Sequence, residues 1–182
     1  MQIIGVDIGG ANLKAASVDG QAASRSFAIW HEPDRLPGQL HELLADLPTA
    51  DALAVTMTAE LADCFETKSE GVRRILDSVL QAAAGCPVVV WQTGGEFVSV
   101  ADAKELTQLV AAANWHALAT FSGRLAQEGD AILIDIGTTT TDLIPIHDGL
   151  PVPWGLTDRG RLASHELVYT GVGRTPICSL AS

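Results

Sequence analysis

Val6-Asp7-Ile8-Gly9-Gly10-Ala11-Asn12-Leu13-Lys14 and Ile134-Asp135-Ile136-Gly137-Thr138-Thr139-Thr140-Thr141 are two versions of one pattern. In each, an apolar run reaches an aspartate, passes an isoleucine and a glycine, and turns into a second apolar run that closes on Asp-Gly, at Asp19-Gly20 and at Asp148-Gly149. The aspartates stand at positions 7 and 135, 128 residues apart. Alternating apolar runs around a short glycine loop predict a β-hairpin at both places. Two hairpins of nearly equal length with the same closing turn predict a duplicated fold.

The loops carry a chemical expectation as well. Glycine at a strand end lets the backbone turn without a Cβ in the way, so that N–H groups can approach phosphate oxygens closely. Gly9, Gly10 and Asn12 in the first loop, and Gly137, Thr138, Thr139 and Thr140 in the second, are therefore the expected phosphate contacts, the threonines adding hydroxyls. Lys14 supplies a point charge. Asp7 and Asp135 are placed to hold Mg²⁺ directly or through water, because that ion combines one or two carboxylates with substrate oxygens and retained waters. Four consecutive threonines also suit a plain edge strand, but the Asp-Ile-Gly before them favours phosphate.

Working outward, residues 3–9 and 13–18 read as strands, followed by a turn at Asp19-Gly20 and a third strand over 22–29. Leucines at 36, 40, 43, 44 and 47 recur at helical spacing, and 51–57 returns to strand. Thr67 with Glu70 forms a capping-box pattern before a helix whose apolar face runs from Val72 to Ala83 and ends at Gly85. A buried strand is expected at 87–91, a turn at 93–95, a long helical zone over 101–126 with room for a break, a strand pair at 131–137 and 140–146, and a helix over 159–169. Strands that then alternate with helices indicate an α/β chain with mixed sheets flanked by helices. The domain expectation is a first lobe over 1–128 and the start of an incomplete second lobe over 129–182.

Composition narrows the function classes. Twenty-two acidic residues against eleven basic ones give a net charge of −11, a surface that repels nucleic-acid phosphates and anionic membranes. A small molecule, specifically a phosphate or diphosphate ester, is the expected partner, with no nucleic acid and no membrane, while a homo-oligomer is left open. No leader pattern or membrane-length apolar run is present in the sequence, so a cytoplasmic place is expected. Cys64, Cys86 and Cys178 lack metal or dithiol spacing and read as reduced thiols.

Asp7-Ile8-Gly9-Gly10 and Asp135-Ile136-Gly137-Thr138-Thr139-Thr140 resemble the two phosphate motifs of the actin, sugar-kinase and heat-shock-chaperone superfamily. More narrowly the chain resembles the hydantoinase/oxoprolinase-like proteins of tetrahydromethanopterin-linked one-carbon metabolism. Residues 6–14, 58–65, 113–119 and 164–171 carry that resemblance. It implies an actin-like ATPase (ribonuclease H-like) duplicated fold with a truncated second lobe. It also implies a transferase of methanofuran biosynthesis that joins an aminomethylfuran diphosphate to γ-glutamyltyramine, forming an ether and releasing diphosphate. Mg²⁺ is the implied cofactor, with ATP the alternative ligand.

Asp7, Lys14 and Asp135 would stabilise the leaving diphosphate. Glu60, His116, His165 and Glu166 are candidates for the base that takes the phenol proton. His116, after Trp115, reads equally as a core histidine, and His165 and Glu166 as polar residues near a helix end. Glu60, Cys64 and Lys68 lie on a strand-to-helix connection, where ligands are often held. Arg174-Thr175-Pro176 reads as an anion contact or a linker charge. The rival readings are an ATP-dependent kinase or hydantoinase/oxoprolinase-type amidohydrolase, with Asp51 or Asp63 as catalytic aspartate, and a non-catalytic actin-like nucleotide-binding module.

Overall fold

The computed structural model describes residues 1–173 and residue 175. Two compact units form it, Met1–Asn114 and Trp115–Ser182. Cys178 and, except for Thr175, the Arg174-Thr175-Pro176 motif lie outside the described residues.

The first unit is built on a six-stranded mixed sheet. Strands β1 (Ile3–Ile8), β2 (Asn12–Ser17) and β3 (Ala22–Ser26) form the predicted antiparallel meander, and β4 (Ala52–Met57) and β5 (Val88–Gln92) join it in parallel on the other edge of β1. The final strand, β6 (Glu96–Ser99), pairs antiparallel with β5. Period-two alternation sends Ile4, Val6 and Ile8 of β1 into the core and Asp7 to the opposite face.

Helices α1 (Leu36–Ala45) and α2 (Lys68–Ala83) supply the remainder of that core. In α1 the buried Leu36, Leu40 and Leu43 fall at helical spacing, and in α2 Val72, Ile75, Leu76, Val79 and Ala83 do the same. Thr67 caps α2 as predicted, its hydroxyl accepting the Glu70 N–H at 3.1 Å. The Glu70 carboxylate reaches back to the Glu66 N–H at 3.0 Å, one residue before the cap. The helix stops where Ala84 and Gly85 both take positive φ.

One expectation is revised, and the break allowed in the 101–126 zone is located. The strand β6 was not anticipated. It forms because the Gln92 side chain accepts the Gly94 N–H at 2.6 Å, folding 92–95 into a tight turn that sets Phe97 edge-on to Trp91 at 4.8 Å. The helical zone over 101–126 is three short helices, α3 (Val100–Glu105), α4 (Thr107–Val110) and α5 (Asn114–Ser122), followed by a 3-10 turn at Gly123–Leu125. Ala112 breaks it with φ of 47°, a left-handed conformation. The compensation is the buried carboxylate of Glu60, which accepts the Ala112 N–H at 2.8 Å.

In the second unit, β7 (Asp130–Ile136) and β8 (Thr141–His147) form the predicted hairpin around the loop at 137–140, and Asp148-Gly149, with φ of 47° and 79°, turns β8 into the strand that follows. Along the far edge of β8 lie β9 (Leu150–Pro151) and β10 (Leu167–Val168). Backbone bonds from Val152 to Pro145 and from Leu143 to Glu166 continue the same edge, so β9 and β10 are one third strand interrupted by residues 153–165. Trp115 and Ala119 of α5 pack with Ile144 and Leu133 on one face of this sheet. That packing places Trp115 and Ala119 in the second compact unit.

The interruption holds α6 (Asp158–Ala163), shorter than the helix expected over 159–169. His165 stops it in the left-handed region at φ 61°, while the Glu166 N–H returns to the Arg161 carbonyl at 2.8 Å and the His165 N–H to Leu162 at 3.3 Å. This is a Schellman end with histidine where glycine is usual. A helix reading from apolar spacing cannot see such a stop, because the terminating residue carries no glycine signal.

Candidate functional site

The two hairpin loops are alike at the level of single hydrogen bonds. The Gly9 N–H donates to the Asn12 carbonyl at 3.0 Å, and, 128 positions on, the Gly137 N–H donates to Thr140 at 2.8 Å. A Cβ on Gly9 would stand 2.9 Å from the Asn12 oxygen, and one on Gly137 3.2 Å from the Thr140 oxygen, so both positions favour glycine through close backbone approach. Beside Gly10 the space is open. A chain segment backs each loop: Phe27 and Ile29 donate to the Ala11 and Gly10 carbonyls, and Val172 and Gly173 donate to Gly137 and Thr138. Gly171 is required at the second loop, since a Cβ there would come within 2.5 Å of the Thr138 carbonyl.

Charge is where the hairpins differ. Asp7 lies directly opposite Lys14, whose ammonium is 3.8 Å away, and accepts the Thr56 hydroxyl at 3.3 Å. Asp135 lies directly opposite Asp142 instead. Burial pushes the Asp142 carboxyl up from the ordinary value, and Arg161 opposes that by donating to it at 2.8 Å. Arg161 is itself 1% exposed, stacks its guanidinium 3.9 Å from the Trp115 ring centroid, and donates to the Glu166 carbonyl at 3.0 Å. Sequence reading passed over Arg161. The signal available was the single arginine at an inward helix position beside a strand aspartate, which spacing alone does not reveal.

For Mg²⁺, Asp7 and Asp135 each offer one carboxylate beside a glycine loop, a donor set that suits an ion taking its other ligands from phosphate and water. Among the described residues no group of three or more His, Cys, Asp or Glu is placed to hold a metal by itself. Asn12 and Thr138 are exposed, and Thr139 and Thr140 are half-buried.

The proton-transfer candidates are scattered. Glu60 is buried, on a 3-10 turn (Ala59–Leu61) against which Gly71 of α2 packs so closely that a Cβ there would lie 2.9 Å from Glu60. His116 is buried edge-on to Trp115 at 5.3 Å, its hydroxyl neighbour Thr120 at 3.5 Å from Nδ1. Burial first, and then the Arg161 charge, push its pKa below the ordinary histidine value. His165 is exposed on the turn after α6. Glu166 is committed to structure: its oxygens accept the Trp154 and Gly155 N–H groups at 2.7 and 3.0 Å and the Ser164 hydroxyl at 2.7 Å. Cys64 and Cys86 are free, half-buried thiols, and burial raises the Cys64 pKa. Lys68 opens α2.

Among the described residues no helix is long and apolar enough to cross a membrane. Among curated proteins, the chain is 41% identical over its whole length to the (4-{4-[2-(gamma-L-glutamylamino)ethyl]phenoxymethyl}furan-2-yl)methanamine synthase of Methanocaldococcus jannaschii, of which it spans 54%. It is 47% identical over 53 residues, 29% of this chain and 23% of the relative, to the protein of the same name from Methanococcus vannielii. Solved structures that overlay on it include the ethanolamine utilization protein EutJ from Carboxydothermus hydrogenoformans (TM-score 0.46, 18% identity, 84% of this chain and 50% of that one). The Aquifex aeolicus member of the Ppx/GppA family overlays with a TM-score of 0.44 at 13% identity, over 84% of this chain and 49% of that one. The hydantoinase/oxoprolinase family profile matches residues 51–179, and the chain belongs to that family.

Proposed function

We propose that this chain is the phosphate-handling part of a cytoplasmic synthase that joins a phenol to a furfuryl carbon with release of diphosphate. The observation that carries the reading is the repeated loop, in which an aspartate, a closely packed glycine and the same backbone bond recur at Asp7-Gly9-Asn12 and Asp135-Gly137-Thr140. The relatives' name supplies the chemical class, since it describes a phenoxymethyl-furan ether.

Diphosphate leaves readily only when its charge is held. In this reading Lys14 offers a cation at the first loop, and Thr138, Thr139 and Thr140 offer hydroxyls at the second. Mg²⁺, held by Asp7 or Asp135, would supply further neutralisation of the leaving group. The C–O bond to diphosphate breaks as the phenol oxygen bonds to the furfuryl carbon, and positive charge at that carbon is spread into the furan ring. The phenol proton passes to a base. The candidates for that base are His116, His165, Glu60 and Glu166.

Isothermal titration of the chain with inorganic diphosphate, ATP and ADP in the presence of Mg²⁺ tests the reading. Diphosphate binding with no gain from adenine is the expected result. A strong preference for ATP or ADP would replace it with the ATP-dependent kinase or amidohydrolase reading.

A further inference from the structure

Beyond β3 the chain runs across the end of the first hairpin. The Phe27 N–H donates to the Ala11 carbonyl at 2.9 Å and the Ile29 N–H to the Gly10 carbonyl at 3.1 Å, while the side chains of both are buried in the core of the first unit. The segment is thus pinned from two sides, by loop backbone and by core. The His31 N–H then donates to the Ala28 carbonyl at 3.0 Å, closing a tight turn that holds Trp30 one residue past the partner of Gly10. Trp30 takes no place in the core cluster. It is 43% exposed, and the His31 ring stands against it at 5.8 Å, tilted by 46°. A single exposed apolar side chain is ordinary on a protein surface. This one is fixed at the carboxyl end of β1, where the Thr58 N–H beyond β4 also donates to the Ile8 carbonyl at 2.9 Å, and that end of parallel strands is where open α/β sheets hold ligands. The space beside Gly10 is open.

The chemistry of the proposed substrate gives that place a use. In a furfuryl diphosphate only a methylene and one oxygen separate the ring from the first phosphorus, so a group that touches the ring must stand at the phosphate loop itself. An indole offers such a ring a flat apolar face for offset stacking. We infer that Trp30 is a specificity-determining residue: with diphosphate in the loop at 9–12, its indole stacks on the aromatic ring of the ester, so that the chain selects arylmethyl diphosphates over inorganic and alkyl diphosphates. This role rests on the phosphate reading of the first loop and adds a ring contact to it.

The test titrates the chain, with Mg²⁺, against inorganic diphosphate, furfuryl diphosphate and isopentyl diphosphate, following heat and tryptophan emission in the wild type, Trp30→Ala and Trp30→Phe. The wild type should bind furfuryl diphosphate about tenfold more tightly than the other two. Trp30→Ala should lose that preference and keep the wild-type affinity for inorganic diphosphate, whereas Trp30→Phe should retain most of the preference. Furfuryl diphosphate, and not inorganic diphosphate, should change the emission of the wild type, and Trp30→Phe should abolish that change. Circular dichroism should show both variants folded. Inorganic diphosphate binding with no ring preference, or a preference that survives Trp30→Ala, would overturn the role of Trp30 and leave the phosphate reading standing. Equal loss of all three ligands in Trp30→Ala would overturn it too, by making Trp30 a support of the loop. No binding of any of the three by the wild type would sink the phosphate reading and this role with it.

Discussion

Asp135 faces Asp142 across β7 and β8, at the place where the first hairpin sets Asp7 against Lys14. The repeat has kept its backbone and exchanged an ion pair for two carboxylates. What makes the exchange tolerable is Arg161, buried against Trp115 and bonded to Asp142.

Arg161→Met should therefore cost about 3–5 kcal/mol, because it strands a buried carboxylate. Asp142→Asn combined with Arg161→Met should recover part of that loss. Urea unfolding of the two single variants and the double variant measures the coupling, and additive losses would show that the pair does not act together.

His116 gives a pH dependence of definite sign. Its folded pKa lies below the ordinary 6.5, so the unfolded chain binds the proton more readily. Its contribution to stability is complete above that value and is lost as pH falls from there toward the depressed folded pKa. His147 has the opposite sign, since its hydrogen bond to Asp130, followed by the charges of Asp148 and Asp130, raises its pKa, so its contribution fades as pH rises. Unfolding free energies measured between about pH 5 and pH 8 should lose their acid-side slope in His116→Gln and keep it in His147→Ala.

Glu60 is expected to act on the fold through Ala112. Glu60→Ala should destabilise by about 1–3 kcal/mol, the cost of a buried N–H left without its acceptor. Glu60→Gln keeps an acceptor oxygen and should cost less than half as much. Thermal and urea unfolding distinguish the two, and equal losses would remove the Ala112 bond as the reason.

The first loop separates folding from binding at neighbouring glycines. Gly9→Ala should cost about 1–3 kcal/mol because its Cβ meets the Asn12 carbonyl. Gly10→Ala enters open space and should change stability by no more than about 0.5 kcal/mol, yet lower affinity for diphosphate by crowding the approach to the loop. Parallel calorimetry and unfolding of both variants checks this.

The hairpins, the leucine-rich α1 and the capped α2 were legible because their signals are local: period-two alternation, helical spacing, a cap, a glycine turn. The repeat at 7 and 135 located both loops before any register was visible. What escaped depended on particular hydrogen bonds, some distant in sequence and some local, that residue type and spacing do not announce. Glu60 holds the left-handed Ala112 that splits the 101–126 zone, and the Schellman turn at His165 ends α6 early without a glycine. Gln92 folded 92–95 into the turn before β6 through its own side chain. Among the candidate residues, Asp7 with Gly9 and Gly10, and separately Asp135 with Gly137, are grouped within their own hairpins by strand position. The surroundings of Glu60, His116 and Glu166 are set by packing that no spacing encodes.

The proposed function requires that both hairpin loops hold phosphate. The most direct measurement is calorimetric titration of Mg²⁺ and inorganic diphosphate into the wild-type chain, Asp7→Asn and Asp135→Asn, with unfolding curves confirming that each variant folds. Measurable binding by the wild type is expected, with a loss of about tenfold or more in each variant, the removal of one charged partner. Diphosphate affinity unchanged in both variants, or no binding by the wild type, would contradict it.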